Sequence, residues 1–189
     1  MNQSLYDLME ENPVIAAVSD MEGLKTCCKI SEIKVVFILF GDICNISSIV
    51  GQLRERGKTA IVHIDLVKGL DSKEIAVDFI KDYAKAEGII STKPFLIKRA
   101  RELSLCTILR IFLLDSMALA NIQRQMDVAR PDAIEILPGL MPKAIKRVSS
   151  LIKVPLIVGG LISDKEDVMA ALASGAFSVS TTNPKVWEL

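Results

Sequence analysis

Lys153-Val-Pro-Leu-Ile-Val-Gly-Gly-Leu-Ile-Ser-Asp-Lys-Glu-Asp-Val-Met169 decides how the rest of the chain is read. Val154 to Val158 is apolar, branched and too short for a helix, so it reads as a strand buried on both faces. It ends in Gly159-Gly160. Ser163 or Asp164 then opens a helix that reaches Ala173 and is closed by Gly175. A second short run, Ala176 to Val179, follows and leads into Thr181-Thr182-Asn183. Strand, helix, strand in that order is the unit of a parallel sheet. Two successive strand ends rich in Gly, Ser, Thr and Asn leave backbone N–H groups to converge on one anion. Glycine lets the main chain approach an oxygen closely, and helix N-termini add partial positive charge.

Working outward, the same unit recurs along the chain. The other apolar runs are Val14–Val18, Val35–Phe40, Ala60–Ile64, Gly88–Ile90, Cys106–Phe112 and Ala133–Leu137. With the two above they make eight, spaced by roughly 20–25 residues, as strand–helix repeats are. Helical patterns fill the gaps: Asp20–Cys28, Asn45–Arg56 before Gly57, a segment opened by Asp71 or Ser72, Pro94–Leu103, one opened by Asp115-Ser116, and Pro142–Leu151. Pro184 to Trp187 reads as a truncated last helix. The expectation is an α/β fold, a single compact (β/α)8 TIM-like barrel with short loops over residues 1–189. An open doubly wound sheet is the alternative, because such barrels usually need at least about 200 residues.

Composition narrows the function classes. Half of the 189 residues are apolar and the mean hydropathy is +0.37, which strands buried on both faces produce. No apolar stretch approaches the roughly 18 residues of a membrane helix, and the acidic N-terminus has no signal-peptide character. A cytoplasmic protein without membrane contact is expected. Cys27, Cys28, Cys44 and Cys106 form no C-x-x-C pair, and there is one histidine, so neither a metal nor a cofactor is expected; the thiols read as reduced and mostly buried. Lys plus Arg equals Asp plus Glu at 23 each, so no global charge draws nucleic acid.

In such a barrel, ligands sit at the C-terminal strand ends, and phosphate sits after strands seven and eight. Gly159, Gly160, Thr181, Thr182 and Asn183 are therefore the phosphate candidates. Asp42, His63, Asp65, Lys93, Arg110 and Glu135 fall at or near other strand ends and are the remaining ligand candidates. His63 and Asp65 share one strand face and either bond each other or a ligand. Arg110 and Glu135 sit inside apolar runs. They either neutralise each other or bind phosphate and hydroxyls, since unpaired charge there is costly. Lys93 is open between a Schiff-base lysine, an anion ligand and a solvated residue, and Asn45 reads as a helix cap. Basic clusters at Lys98-Arg99-Ala-Arg101 and at Lys143, Lys146 and Arg147 lie on predicted helices. Such clusters are usually solvated faces; together they would make a phosphate-tracking patch.

Several strings resemble the glycerol uptake operon antiterminator regulatory proteins of bacteria. They are Val36-Phe-Ile-Leu-Phe-Gly-Asp-Ile-Cys-Asn45, His63-Ile-Asp-Leu-Val-Lys-Gly-Leu70, Lys73-Glu-Ile-Ala-Val-Asp-Phe-Ile80 and Gly88-Ile-Ile-Ser-Thr-Lys-Pro94. Leu113-Leu-Asp-Ser-Met117, Ala133-Ile-Glu-Ile-Leu-Pro-Gly139, Gly159-Gly-Leu-Ile-Ser-Asp-Lys-Glu-Asp-Val168 and Ser180-Thr-Thr-Asn183 continue the match, from about Pro13 to Trp187. The resemblance implies a barrel that binds glycerol 3-phosphate as effector and then acts on the leader mRNA of glycerol-use operons. It implies transcription antitermination, without catalysis. No string matches around Cys27-Cys28. An enzyme acting on a phosphorylated small polyol or sugar, with His63 as acid/base, is the alternative. Oligomeric state is open, a homo-oligomer included.

Overall fold

Each strand pairs in parallel with its neighbour in the chain, and the last pairs with the first, so the sheet closes. A computed structural model describes residues 4–189. The strands are β1 (Val14–Val18), β2 (Val35–Ile38), β3 (Thr59–His63), β4 (Gly88–Ser91), β5 (Cys106–Phe112), β6 (Ala133–Leu137), β7 (Leu156–Gly159) and β8 (Ser178–Thr181). Helices α1 (Leu5–Glu11), α2 (Met21–Cys27), α3 (Ile46–Arg54), α4 (Glu74–Phe79), α5 (Pro94–Glu102), α6 (Ser116–Ala129), α7 (Pro142–Leu151) and α8 (Lys165–Ala173) accompany them. The barrel expectation holds, and the open sheet is excluded by the β1–β8 pairing.

Alternation along each strand sorts the apolar side chains into two layers. Ile15, Phe37, Ile61, Ile90, Ile108 and Ile157 fill the barrel interior, while Val18, Val36, Val62, Leu109, Ile136 and Val158 face the helices. This is why the strands read as unbroken apolar runs: both faces are buried.

Most helix starts follow the local chemistry seen in the sequence. Asp20, Asp115 and Asp164 accept backbone N–H bonds at α2, α6 and α8, and Pro94 and Pro142 occupy the first turns of α5 and α7. Four expectations need correction. Neither Asp71 nor Ser72 caps α4, which starts behind Lys73; Asp71 pairs with the Lys73 ammonium at 2.7 Å instead. Asn45 precedes α3 without capping it, because its amide is tied to Asp42. Pro184 to Trp187 forms turns, anchored by the Trp187 indole donating to the Thr181 carbonyl at 2.8 Å. The thiols are free, but only Cys27 is buried; Cys44 is exposed and the other two are half-buried.

The helix the sequence reading passed over is α1. Ser4 and Asp7 make a reciprocal capping box, and Leu5 and Met9 pack on the interior cluster, closing the N-terminal end of the barrel. No helix among the described residues is long and apolar enough to cross a membrane.

Lys58, just before β3, is buried. Its ammonium donates to the carbonyls of Ile30 at 2.5 Å and Ile33 at 2.8 Å, tying down the loop between α2 and β2. Burial pushes the neighbouring Cys27 thiol up to about 12, so it is an inert packing group. Lys58→Met should leave both carbonyls without this donor and lower stability by about 2 kcal/mol in urea unfolding. An unchanged midpoint would mean that water replaces the ammonium without loss.

Candidate functional site

Glu135 organises the mouth of the barrel. It points inward from β6 and is fully buried. One carboxylate oxygen accepts from Arg110 Nε on β5 at 2.5 Å, and the other accepts from Ser180 Oγ on β8 at 2.5 Å. Arg110 is level with Glu135 in the β5–β6 register, but Ser180 lies two strands away, across β7. The carboxylate gets there because β7 carries Gly159 at that level. A Cβ on Gly159 would stand 2.4 Å from Ser180 Oγ and 2.7 Å from Glu135 Oε1. The result is a clasp across four strands that fixes the guanidinium by its Nε.

A cavity of about 460 Å³ opens above this clasp. Its floor is Ala17, Leu39, Arg110, Glu135 and Ser180; its walls are Leu137, Gly160 to Ser163 and Thr181 to Asn183. The ends of β7 and β8 thus border one space, and a single buried guanidinium reaches it. Two cavities of about 510 Å³ flank α1 at the other end. The mouth is the better ligand site because buried, oriented charge lies there, at the end of the barrel where ligands bind.

The phosphate candidates divide. Gly160, Thr181, Thr182 and Asn183 line the cavity, and Gly160 turns through φ +76°, a left-handed conformation suited to glycine. Gly159 does not line it; its missing side chain makes room for Glu135. The Thr181 hydroxyl is spent on the Ile162 carbonyl, to which it donates at 2.7 Å, and the Asn183 side-chain amide donates to the Ser163 carbonyl at 2.7 Å. These bonds brace the two loops against each other. The start of α8 is already supplied with anions: Asp164 accepts the Asp167 N–H of its first turn, the Asp167 carboxylate accepts the Ser163 N–H just ahead of the helix, and Glu166 lies beside them. The helix N-terminus expected to attract phosphate is therefore filled by its own carboxylates.

The other candidates gather elsewhere. Asp65, just past β3, accepts from Ser91 Oγ at 3.0 Å, Thr92 N–H at 2.8 Å and Thr92 Oγ at 3.1 Å, with the Lys93 ammonium at 3.6 Å. Lys93 also donates to Ser72 Oγ. His63 Nδ1 is buried 3.9 Å from the Asp65 carboxylate and has no hydrogen-bond partner. Asp42 is occupied by Cys44 N–H, Asn45 N–H and the Asn45 amide. None of these four side chains lines the mouth cavity. Ser180 and the wall from Leu161 to Ser163 escaped the sequence reading. The signal for Ser180 was there: Ser178, Val179 and Ser180 alternate polar and apolar within a strand.

Burial pushes the His63 imidazole down to about 4, Arg110 adds to the effect, and Asp65 opposes it. The native ring is neutral at pH 7. Below about 6.5 an unfolded chain binds a proton that the native state refuses, so the unfolded state is favoured as pH falls. Native stability should decline from about pH 6.5 down to about 4 by roughly 3 kcal/mol. Urea titrations across that window test this; His63→Gln should flatten that part of the slope.

The basic clusters are separate. Arg99 bonds Asp78 at 2.6 Å and Glu102 at 3.2 Å, and Arg101 donates to the Arg130 carbonyl at 2.6 Å. Lys98 is exposed on α5, and Lys143, Lys146 and Arg147 are exposed on α7. Helix α6 stands between the two clusters in chain order around the barrel, so they do not form the single patch the sequence suggested.

A family profile described as glycerol-3-phosphate responsive antiterminator matches residues 14–187. The uncharacterized protein YgcP of Escherichia coli K12 is 44% identical over 98% of this chain and 96% of its own. The crystal structure of a glycerol uptake operon antiterminator regulatory protein from Listeria monocytogenes superposes with a TM-score of 0.89 at 30% identity, covering 94% of this chain and 95% of that one. A glycerol uptake operon antiterminator-related protein from Thermotoga maritima gives 0.82 at 33% identity, covering 93% and 98%.

Proposed function

The chain belongs to the glycerol-3-phosphate responsive antiterminator family, and on that premise we propose that it is a cytoplasmic regulator whose barrel mouth takes glycerol 3-phosphate as effector. The observation that carries this is the clasp: a guanidinium held through Nε by a buried carboxylate, in a cavity walled by the ends of β7 and β8. Pinning Nε leaves the terminal nitrogens of Arg110 for a phosphate, the bidentate use to which a guanidinium is suited. Gly160 and Thr182 supply main chain on the other side, and Glu135 is the acceptor nearest the polyol hydroxyls. The family is regulatory, and the neutral His63 lies off the cavity wall, where an acid/base would not touch a ligand. No cofactor is required.

Effector binding is read out on leader mRNA, with residues 1–189 acting as one domain. Lys98, Lys143, Lys146 and Arg147 are the RNA contacts we assign, and Arg99 and Arg101 serve α5 packing first. The deciding experiment is thermal unfolding with glycerol 3-phosphate against glycerol. At a hundredfold excess over Kd the phosphorylated form should stabilise by about 2.7 kcal/mol, or roughly 5–10 °C, and glycerol should do nothing. No shift with the phosphorylated form would remove the effector. Replacing Lys143, Lys146 and Arg147 by Ala should flatten the salt dependence of leader binding by about one unit per lost phosphate contact. Unaltered binding would move the RNA surface elsewhere.

A further inference from the structure

His63 is the ionisable one of the two described residues, the other being Ser178, whose buried side-chain polar atoms have no partner. Its Nδ1 is buried and without a partner, although a buried ring nitrogen is normally bonded. The nearest acceptor is Asp65, 3.9 Å away, and that carboxylate is held still by Ser91 and Thr92. A small rotation of a protonated ring would turn this gap into a charge-assisted bond. The neutral ring has less to gain, so the arrangement is poised for a proton it does not yet carry.

The charges around the ring explain what withholds the proton. Burial acts first, the Arg110 guanidinium from β5 second, and Lys93 after β4 adds to both; Asp65 pulls the other way, with a smaller contribution from the backbone at His63. Glu135 offsets part of the Arg110 charge from the far side. An anion settling on Arg110 would cancel the strongest of the repulsions and leave the Asp65 attraction intact.

We propose that His63 is the charge-reading residue of the mouth: when a dianionic ester docks on Arg110, the imidazole beneath takes up a proton and closes its gap to Asp65. This rests on the phosphate reading of the mouth given above. It makes His63 a positioning residue that favours a full dianion over monoanionic or neutral polyols. It also couples effector affinity to pH through a group that need not touch the ligand.

The chain has a single histidine, so its ring C2–H resonance identifies itself in a proton spectrum. The experiment follows that resonance against pH in the intact protein, alone, with saturating glycerol 3-phosphate, and with sodium sulfate, a dianion whose charge does not titrate in this range. The expected result is a midpoint displaced upward by at least one unit with either anion, a tenfold gain in proton affinity. Saturation with glycerol 3-phosphate, seen on other resonances, with the histidine midpoint unmoved would overturn the proposal and leave the effector standing. A midpoint moved by sulfate but a spectrum indifferent to glycerol 3-phosphate would support charge reading and remove the effector. No response to either anion would discard both.

Discussion

Gly159→Ala should abolish glycerol 3-phosphate binding and lower stability by roughly 3–5 kcal/mol, more than any neighbouring glycine-to-alanine change at the mouth. Backbone strain is not the cause, for Gly159 is an ordinary strand residue. The difficulty is space. The new methyl would occupy the point where the Glu135 carboxylate meets Ser180, with contacts of 2.4 and 2.7 Å to their oxygens. Relief requires moving one of them, and each is buried and bonded. If the carboxylate swings off Ser180 it also loosens Arg110, so the cation that faces the cavity loses its orientation. Two comparisons separate this from general damage. Ser180→Ala removes one bond to the carboxylate without crowding it and should cost only about 1.5–3 kcal/mol. Gly160→Ala places a side chain at φ +76°, 3.2 Å from the movable end of the Leu137 side chain, and should cost about 1–2 kcal/mol, mostly through backbone strain. Urea unfolding and calorimetric titration of the three variants give the ranking. A Gly159→Ala protein as stable as the wild type, still binding the effector, would show that the carboxylate does not need the path across β7.

This glycine illustrates what was and was not legible beforehand. The barrel was readable because a parallel sheet buried on both faces leaves eight apolar runs, and because Asp20, Asp115, Asp164, Pro94 and Pro142 mark helix starts by chemistry local to a few residues. Gly159 stands out in the sequence, but its role is a different one. From the chain alone a Gly-Gly pair reads as main chain approaching an anion. That the first glycine makes room for a carboxylate from the next strand depends on register across three strands, which no local pattern carries. The same limit hid the fate of the α8 N-terminus, whose dipole looks available until Asp164 and Asp167 are seen to fold back on it. Helix α1 is a different case. Ser4 and Asp7 stand at capping-box spacing, with Leu5 and Met9 four apart, so its signal is local and legible in the chain.

Replacing the Arg110–Glu135 pair decides whether it is a ligand device or only a neutralised burial. Arg110→Met alone leaves a fully buried carboxylate with Ser180 as its remaining partner, and Glu135→Leu alone leaves a buried guanidinium unpaired. Either single change should lower stability by roughly 3–5 kcal/mol, because the surviving charge is desolvated without its counterion. Making both changes together removes the two charges and keeps the volume apolar. Stability should then return to within about 1–2 kcal/mol of the wild type, with Ser180 Oγ as the one group left unsatisfied. The double variant therefore folds without the charges, and its ligand behaviour becomes interpretable. Were the pair only a structural solution to two buried charges, the refolded double variant would still be stabilised by glycerol 3-phosphate. If Arg110 grips the phosphate, thermal stabilisation should vanish in the double variant although its fold is recovered. A double variant that recovers both stability and the ligand-induced shift would take Arg110 out of the site. Phosphate recognition would then rest on the main chain of the Gly160 and Thr182 loops alone.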